Sequence, residues 1–268
     1  MIFKNILAIF RREFQSYLTS PLSYLIAGIF WLLGGFFLVV MLLGPQGMIA
    51  QVATADQSTQ MGMPALPPFD VAYEFIKAYV GLLGSLSMFI LPILSMGLYA
   101  EERKQGTLEL LATSPLPNWA VALGKLLAVI SFYIGLVLPL MVGQAIALGA
   151  ASPPIHPGVF GLAHLGLLLM AASVLALGMF ISSLTESTVL AAIMTFGLVL
   201  LLWLVDAIAQ GLPGLPGRAV GHLSMLKHFT DFTEGIFDSS GLVLFLSFIL
   251  LGLYLTAQSI ETLRFQRS

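Results

Sequence analysis

The chain has 268 residues, of which 58% are hydrophobic and 9% charged, with a mean hydropathy of +0.98. Soluble domains carry roughly 25% charged residues, so the composition argues against a soluble enzyme, and 11 basic against 13 acidic residues leave no basic excess for nucleic acid. The absence of cysteine removes disulfides, thiolate metal sites and a cysteine nucleophile.

At the start, Phe3, Ile6, Leu7, Phe10, Phe14, Tyr17 and Leu18 recur at three- and four-residue steps, while Lys4, Arg11, Arg12, Glu13 and Gln15 fall elsewhere. This pattern predicts an amphipathic helix lying in the headgroup layer, broken by Thr19, Ser20 and Pro21. A plain membrane anchor and an interfacial helix that also touches a partner fit it equally. Its candidate residues are Phe10, Arg11, Arg12, Glu13 and Phe14.

Crossing ~30 Å of hydrocarbon takes ~20 apolar residues in a helix. Six stretches qualify, at 21–43, 78–99, 120–148, 159–181, 189–208 and 241–260. Period-2 alternation is absent, so a barrel does not fit and the spans are helices. The first stretch is longer than a signal-peptide core and no A-x-A site follows, so it is expected to be retained. Lys4, Arg11, Arg12, Arg103, Lys104, Lys125, Arg264 and Arg267 fall on one side of such a bundle; Lys77, Arg218 and Lys227 fall on the other. That bias places both termini in the cytoplasm.

Between spans one and two, residues 44–76 carry Gly44, Pro45, Gly47, Pro64, Pro67 and Pro68, which predict an extended, partly mobile external loop. The cytoplasmic loop after span two is richer. It runs through Glu101, Glu102, Arg103 and Lys104, then Gly106, Thr107, Leu108, Glu109, Leu110 and Leu111, to Pro115. Gly106 permits a sharp turn and Thr107 can cap a new short helix, with Glu109 near its positive end. Asn118 can cap span three. A docking helix and a solvated turn both remain open on this chemistry.

Spans four and five are joined by a turn near 182–187, so they are antiparallel. Residues 210–217 read as a turn-rich linker. Leu223, Leu226, Phe229, Phe232 and Ile236 then form an apolar stripe, with Lys227, Asp231 and Glu234 opposite. This suits an external amphipathic or re-entrant helix before span six, or a helix simply packed on the bundle.

No phosphate-binding G-x-x-x-x-G-K-[ST] loop, H-E-x-x-H or G-x-S-x-G motif occurs. The chain is therefore not expected to be an enzyme or to bind a cofactor. The four histidines are expected to be satisfied or interfacial, with no metal site. Lys125 near the cytoplasmic end of span three can snorkel out, and Asp206 lies near the outer end of span five. Neither is at the midplane, which argues against an ion-coupled carrier.

The run Pro92, Met96, Glu101, Glu102, Arg103, Gly106, Thr107, Glu109, Leu110, Leu111, Pro115, Gly124 and Lys125 resembles the signature of ABC-2-type permeases, the membrane subunits of ATP-binding-cassette exporters. Arg12, Glu13, Phe14, Ser20 and Pro21 match as well. Leu223, Ser224, His228, Phe229, Phe232, Gly235, Ile236 and Asp238 are similar to the gliding-motility subgroup. The resemblance implies one ABC-2 transmembrane domain over 1–268: an interfacial helix to residue 20, a six-span bundle over 21–260 and a cytoplasmic tail over 261–268.

It further implies a multi-pass protein of the bacterial inner membrane that pairs with a second permease copy or homologue. Two copies of a cytoplasmic ABC ATPase would bind ATP and magnesium. Residues 101–104, 106–111 and the 3–18 helix would form the ATPase-coupling surface, and Leu223, His228, Phe229, Phe232 and Ile236 an external cap. In related systems a further membrane protein with a large external domain joins. The function expected is export driven by a separate ATPase, or mechanical work on an external partner. The alternative is a non-transporting scaffold of an ATP-driven envelope or motility machine.

Overall fold

A peptide group in hydrocarbon has no water to bond, so a long apolar stretch satisfies its backbone as a helix. The computed structural model describes residues 2–61, 70–108, 116–149, 155–212 and 214–265, and among these residues there is no strand. The helices are α1 (Ile2–Thr19), α2 (Pro21–Leu43), α3 (Met48–Gln60), α4 (Val71–Ser95), α5 (Gly97–Lys104) and α6 (Asn118–Leu148). They continue as α7 (Pro157–Leu184), α8 (Thr188–Gly211), α9 (Leu215–Gly221), α10 (Met225–Thr233) and α11 (Ser239–Phe265). Six helical stretches, starting at Pro21, Val71, Asn118, Pro157, Thr188 and Ser239, are long and apolar enough to cross a membrane. The chain is an all-α, multi-pass membrane protein.

The elements agree with the hydropathy pattern except where capping or short polar helices decide. Span two starts at Val71 rather than 78, because Asp70 Oδ1 accepts from the Tyr73 amide at 3.0 Å and caps the helix before its apolar part begins. Residues 48–60 are helical, not an extended loop. The glycines and prolines that suggested a loop flank this segment, and none lies inside it. The expected linker at 210–217 already contains the first turn of α9, where Pro216 is tolerated. Span three is entered through Pro117, whose side chain makes no cap bond, and Asn118 is its first helical residue rather than its cap.

Helix α7 is the central pillar. Of its most apolar window, 78% is buried, against 17% for α8 and 22% for α11. It packs against α4, α5, α6, α8, α10 and α11. Small residues make this possible: Ala171, Ala172, Ser173, Ala176, Gly178 and Ser182 are buried on α7. On α11, a Cβ at Gly252 would stand 2.5 Å from the Ala176 carbonyl carbon, so only glycine allows that crossing. Polar side chains bond across neighbours: the Tyr79 hydroxyl donates to the Gly34 carbonyl at 2.8 Å, and Ser173 Oγ to the Phe245 carbonyl at 3.1 Å. Ser87, one of three hydroxyls spaced along span two, bonds Tyr133 across to α6 and serves packing. By contrast α8 turns Leu190, Ile193, Leu200, Leu201, Trp203 and Leu204 outward.

The chain order puts α1, α5, the start of α6, the α7–α8 turn and the end of α11 at one end of the bundle, the terminal face. The starts of α4, α7 and α11, with α9 and α10, form the far face.

Gly252→Ala should lower the apparent melting temperature of the detergent-solubilised protein, with a loss of about 1–3 kcal/mol from overpacking. Gly197→Ala, where nothing lies within 4 Å of the added Cβ, should leave it unchanged or slightly raised in the same melting experiment.

Candidate functional site

At the terminal face a lysine is sealed inside protein. Lys125, two turns into α6, has a side chain only 3% exposed, and its ammonium donates to Glu13 Oε1 at 3.1 Å and to Glu102 Oε1 at 3.0 Å. The Nζ atom also stands 5.0 Å from the centre of the Tyr99 ring, a cation–π contact. Lys125 therefore does not snorkel to the surface as its position suggested. Glu13 does not lie on the polar side of α1 either: it sits among Ile6, Ile9, Phe10, Phe14 and Tyr17 on the half-buried face, turned toward α6. A buried ammonium needs a counter-charge, and that need turns the one acidic residue of α1 inward.

Close packing supports the contact. A Cβ on Gly124 would meet Ile9 Cγ2 at 2.9 Å, so this glycine lets α1 lie directly on α6. Phe10 and Phe14 stack at 5.7 Å, and Tyr17 stacks on Phe132 at 5.2 Å while its hydroxyl donates to the Leu94 carbonyl at 3.0 Å. Burial first, then the Glu13 and Glu101 carboxylates, push the Tyr17 phenol up, so it stays a donor. Arg11 and Arg12 point away from the bundle and are exposed.

The other half of the site is a helix break. Pro92, inside α4, has no amide to donate to the helix ladder, and the chain resumes as α5 after Met96. Ser182 of α7, fully buried, enters the break: its Oγ accepts from the Tyr99 and Ala100 amides at 3.1 and 3.0 Å and donates to the Met96 carbonyl at 2.7 Å. A side chain inserted into the backbone ladder is a recognised origin of a kink. On the same side Arg103 donates to the Ser183 carbonyl at 2.7 Å and approaches Glu186 at 3.9 Å. So α5 is held by α1 and α6 through Glu102, and by α7 through Ser182 and Arg103.

Beyond Lys104 the helix closes by a Schellman turn. Gly106 has φ +70°, its amide donates to the Arg103 carbonyl at 3.1 Å, and the Thr107 amide donates to the Glu102 carbonyl at 3.0 Å. Thr107 Oγ1 also donates to the Glu102 carbonyl at 3.2 Å, so in the described residues it closes α5. Leu108 is buried in the core, whereas Glu101, Lys104, Gly106 and Thr107 are exposed. Glu109, Leu110 and Leu111 lie outside the described residues, as does the rest of the expected short helix after Leu108.

At the far face, Ser224 caps α10 by accepting from the Lys227 amide at 3.0 Å and donates its proton to Asp206 Oδ1 at 2.7 Å. His228, Phe229 and Phe232 are buried as a cap over α4 and α7, but Leu223 and Ile236 are exposed. The helix covers only Met225–Thr233, so the outer two residues of the expected stripe fall in the flanking turns. The Ser240 hydroxyl and amide hold the Asp238 carboxyl below the usual range, whereas burial raises that of Asp231. Lys77 pairs with Glu234 at 2.8 Å and ties α4 to the cap.

Residues 43–230 match the family described as ABC-2 family transporter protein. The chain belongs to the ABC-2 family. It is 27% identical over 176 residues, 64% of its own length, to the probable multidrug ABC transporter permease YbhR of Escherichia coli strain K12, and equally to the protein of that name in E. coli O157:H7. The match covers 45% of each relative's length. Membrane subunits of the ABC-2 family are generally not themselves enzymes and work with an ABC ATPase.

In this ABC-2 chain, sequence patterns pointed to the segment around α5 but missed Ser182. No signal distinguishes its hydroxyl from those of Ser173 and Ser183 nearby.

Lys125→Met should cost about 3–5 kcal/mol, because it strands two partly buried carboxylates. Combining it with Glu13→Gln and Glu102→Gln should recover most of that loss. Thermal challenge followed by size-exclusion chromatography checks both.

Proposed function

We propose that this chain is the permease subunit of an ATP-driven exporter, and that α1, α5 and α6 form one rigid unit through which an ATPase moves the bundle. The observation that carries this reading is the Lys125 ammonium shared by Glu13 of α1 and Glu102 of α5. A push on the exposed edge of Glu101, Lys104 and Thr107 enters α4 at its junction with α5, α6 through Lys125 and α7 through Ser182 and Arg103. The excess of basic residues on the terminal face supports its lying in the cytoplasm of a bacterial inner-membrane protein. Two ATPase copies would supply the ATP and magnesium sites.

The outward apolar side of α8 supports pairing with a second permease copy or homologue, giving twelve spans. Transport is the reading that the name of the E. coli relatives favours. A second reading, mechanical work on an external partner in a gliding-motility-like machine with a further membrane protein, draws on the far face. There Leu215, Leu223, Ile236 and Phe237 are exposed beside the cap.

Reversing exposed charges tests the docking without touching the lysine cluster. Glu101→Arg with Lys104→Glu should leave folding intact and weaken capture of the cognate ATPase about tenfold or more, measured by co-purification and by permease-stimulated ATP hydrolysis. Unaltered stimulation in a folded variant would rule out this surface as the docking site.

A further inference from the structure

The histidines of the far face are not alike. His156 Nδ1 accepts from the Gly158 amide at 3.2 Å, and His164 Nδ1 lies 2.8 Å from the Phe160 carbonyl. His228 has a side chain only 1% exposed, and its Nε2 stands 3.2 Å from the His222 carbonyl. A carbonyl only accepts, so Nε2 carries the proton and donates. Nδ1 is buried and without a hydrogen-bond partner among the described residues.

That nitrogen faces two carboxylates. Asp231 Oδ2 is 3.7 Å from Nδ1 and Asp238 Oδ2 is 3.8 Å away, and the three atoms lie within 4.8 Å of one another. Three candidate ligand atoms converge, of which Asp238 Oδ2 also accepts from the Ser240 hydroxyl. A proton on Nδ1 would not bridge these gaps, which exceed the ~2.7–3.2 Å of an N–H···O bond. A tetrahedral ion with bonds of about 2.0–2.2 Å holds its ligands roughly 3.3–3.6 Å apart, so the two gaps from Nδ1 to the carboxylates need close by only a few tenths of an ångström.

The surroundings hold this geometry. Asp231 lies three residues after His228, on the same face of α10. Asp238 precedes α11, where its Oδ1 accepts from the Ser240 amide at 2.9 Å and its Oδ2 from the Ser240 hydroxyl. Gly241 lies under the imidazole: a Cβ there would stand 3.1 Å from His228 Cβ and 3.2 Å from Nδ1. The His222 carbonyl fixes the tautomer from outside, as supporting groups do at metal-bound histidines.

We propose that His228 Nδ1, Asp231 and Asp238 form a binding site for a divalent transition-metal ion, with Zn²⁺ the preferred ion. The imidazole selects against magnesium and calcium, which favour all-oxygen sites. Three protein ligands leave one position for water. The bound ion pins α10 to the start of α11 and so locks the cap onto the last span.

The test uses the full chain in detergent, stripped with a chelator and titrated with Co²⁺ as the spectroscopic probe. The expected result is one Co²⁺ per chain with visible d–d absorption, displaced by Zn²⁺ but not by Mg²⁺, and a rise in melting temperature with Zn²⁺. His228→Gln and Asp238→Asn should each weaken binding roughly tenfold or more, while His156→Gln leaves it unchanged. If His228→Gln does not fold, Asp231→Asn and the Zn²⁺-dependent melting of the unaltered chain decide the matter. Absence of a Co²⁺ spectrum and of a Zn²⁺ shift in the unaltered chain overturns the proposal, as does equal binding by folded variants lacking a ligand.

Discussion

Burying the Lys125 ammonium is the constraint on which the terminal face depends. An ammonium removed from water needs partners at hydrogen-bond distance, and here they come from two separate elements, Glu13 of α1 and Glu102 of α5. The cation therefore sets how α1 crosses α6, which side of α1 faces inward, and where the end of the α4–α5 unit lies. Removing the charge would release α1 and α5 together, and an interfacial helix that only anchored the chain would have no use for an inward glutamate.

The second organising fact is the smallness of α7. Gly178, Ala176, Ser173 and Gly166 let α4, α11 and α10 approach its backbone. That proximity lets Ser182 reach into the break between α4 and α5 and bond three backbone groups. The break is thus held rather than loose. Close packing at the pillar and fixed charge at the terminal face together tie α1, α5, α6 and α7 at this end of the bundle.

Much of this architecture is legible in the sequence because its physics is local. Spans announce themselves through ~20 apolar residues, α1 through its periodicity, and the turn after Lys104 through Gly106. Lys125 and Glu13 were misread because hydropathy assigns each charge to its own helix, whereas their partnership exists only when two helices cross. Helix α3 was hidden by the glycines and prolines around it. His228, Asp231 and Asp238 escape notice because one ligand lies beyond the turn that ends α10, so no spacing rule joins them.

The central claim is that α1 and α5 move as one unit because Lys125 binds both. The chain contains no cysteine, so spin labels can be placed through Arg11→Cys and Lys104→Cys, both at exposed positions. Pulsed electron paramagnetic resonance of the ATPase complex in nanodiscs then reads the distance between α1 and α5. The account predicts one narrow distance, unchanged when nucleotide binds, that broadens when Glu13→Gln, Lys125→Met and Glu102→Gln are combined. A distance that shifts with nucleotide, or stays as narrow without the charges, would contradict it.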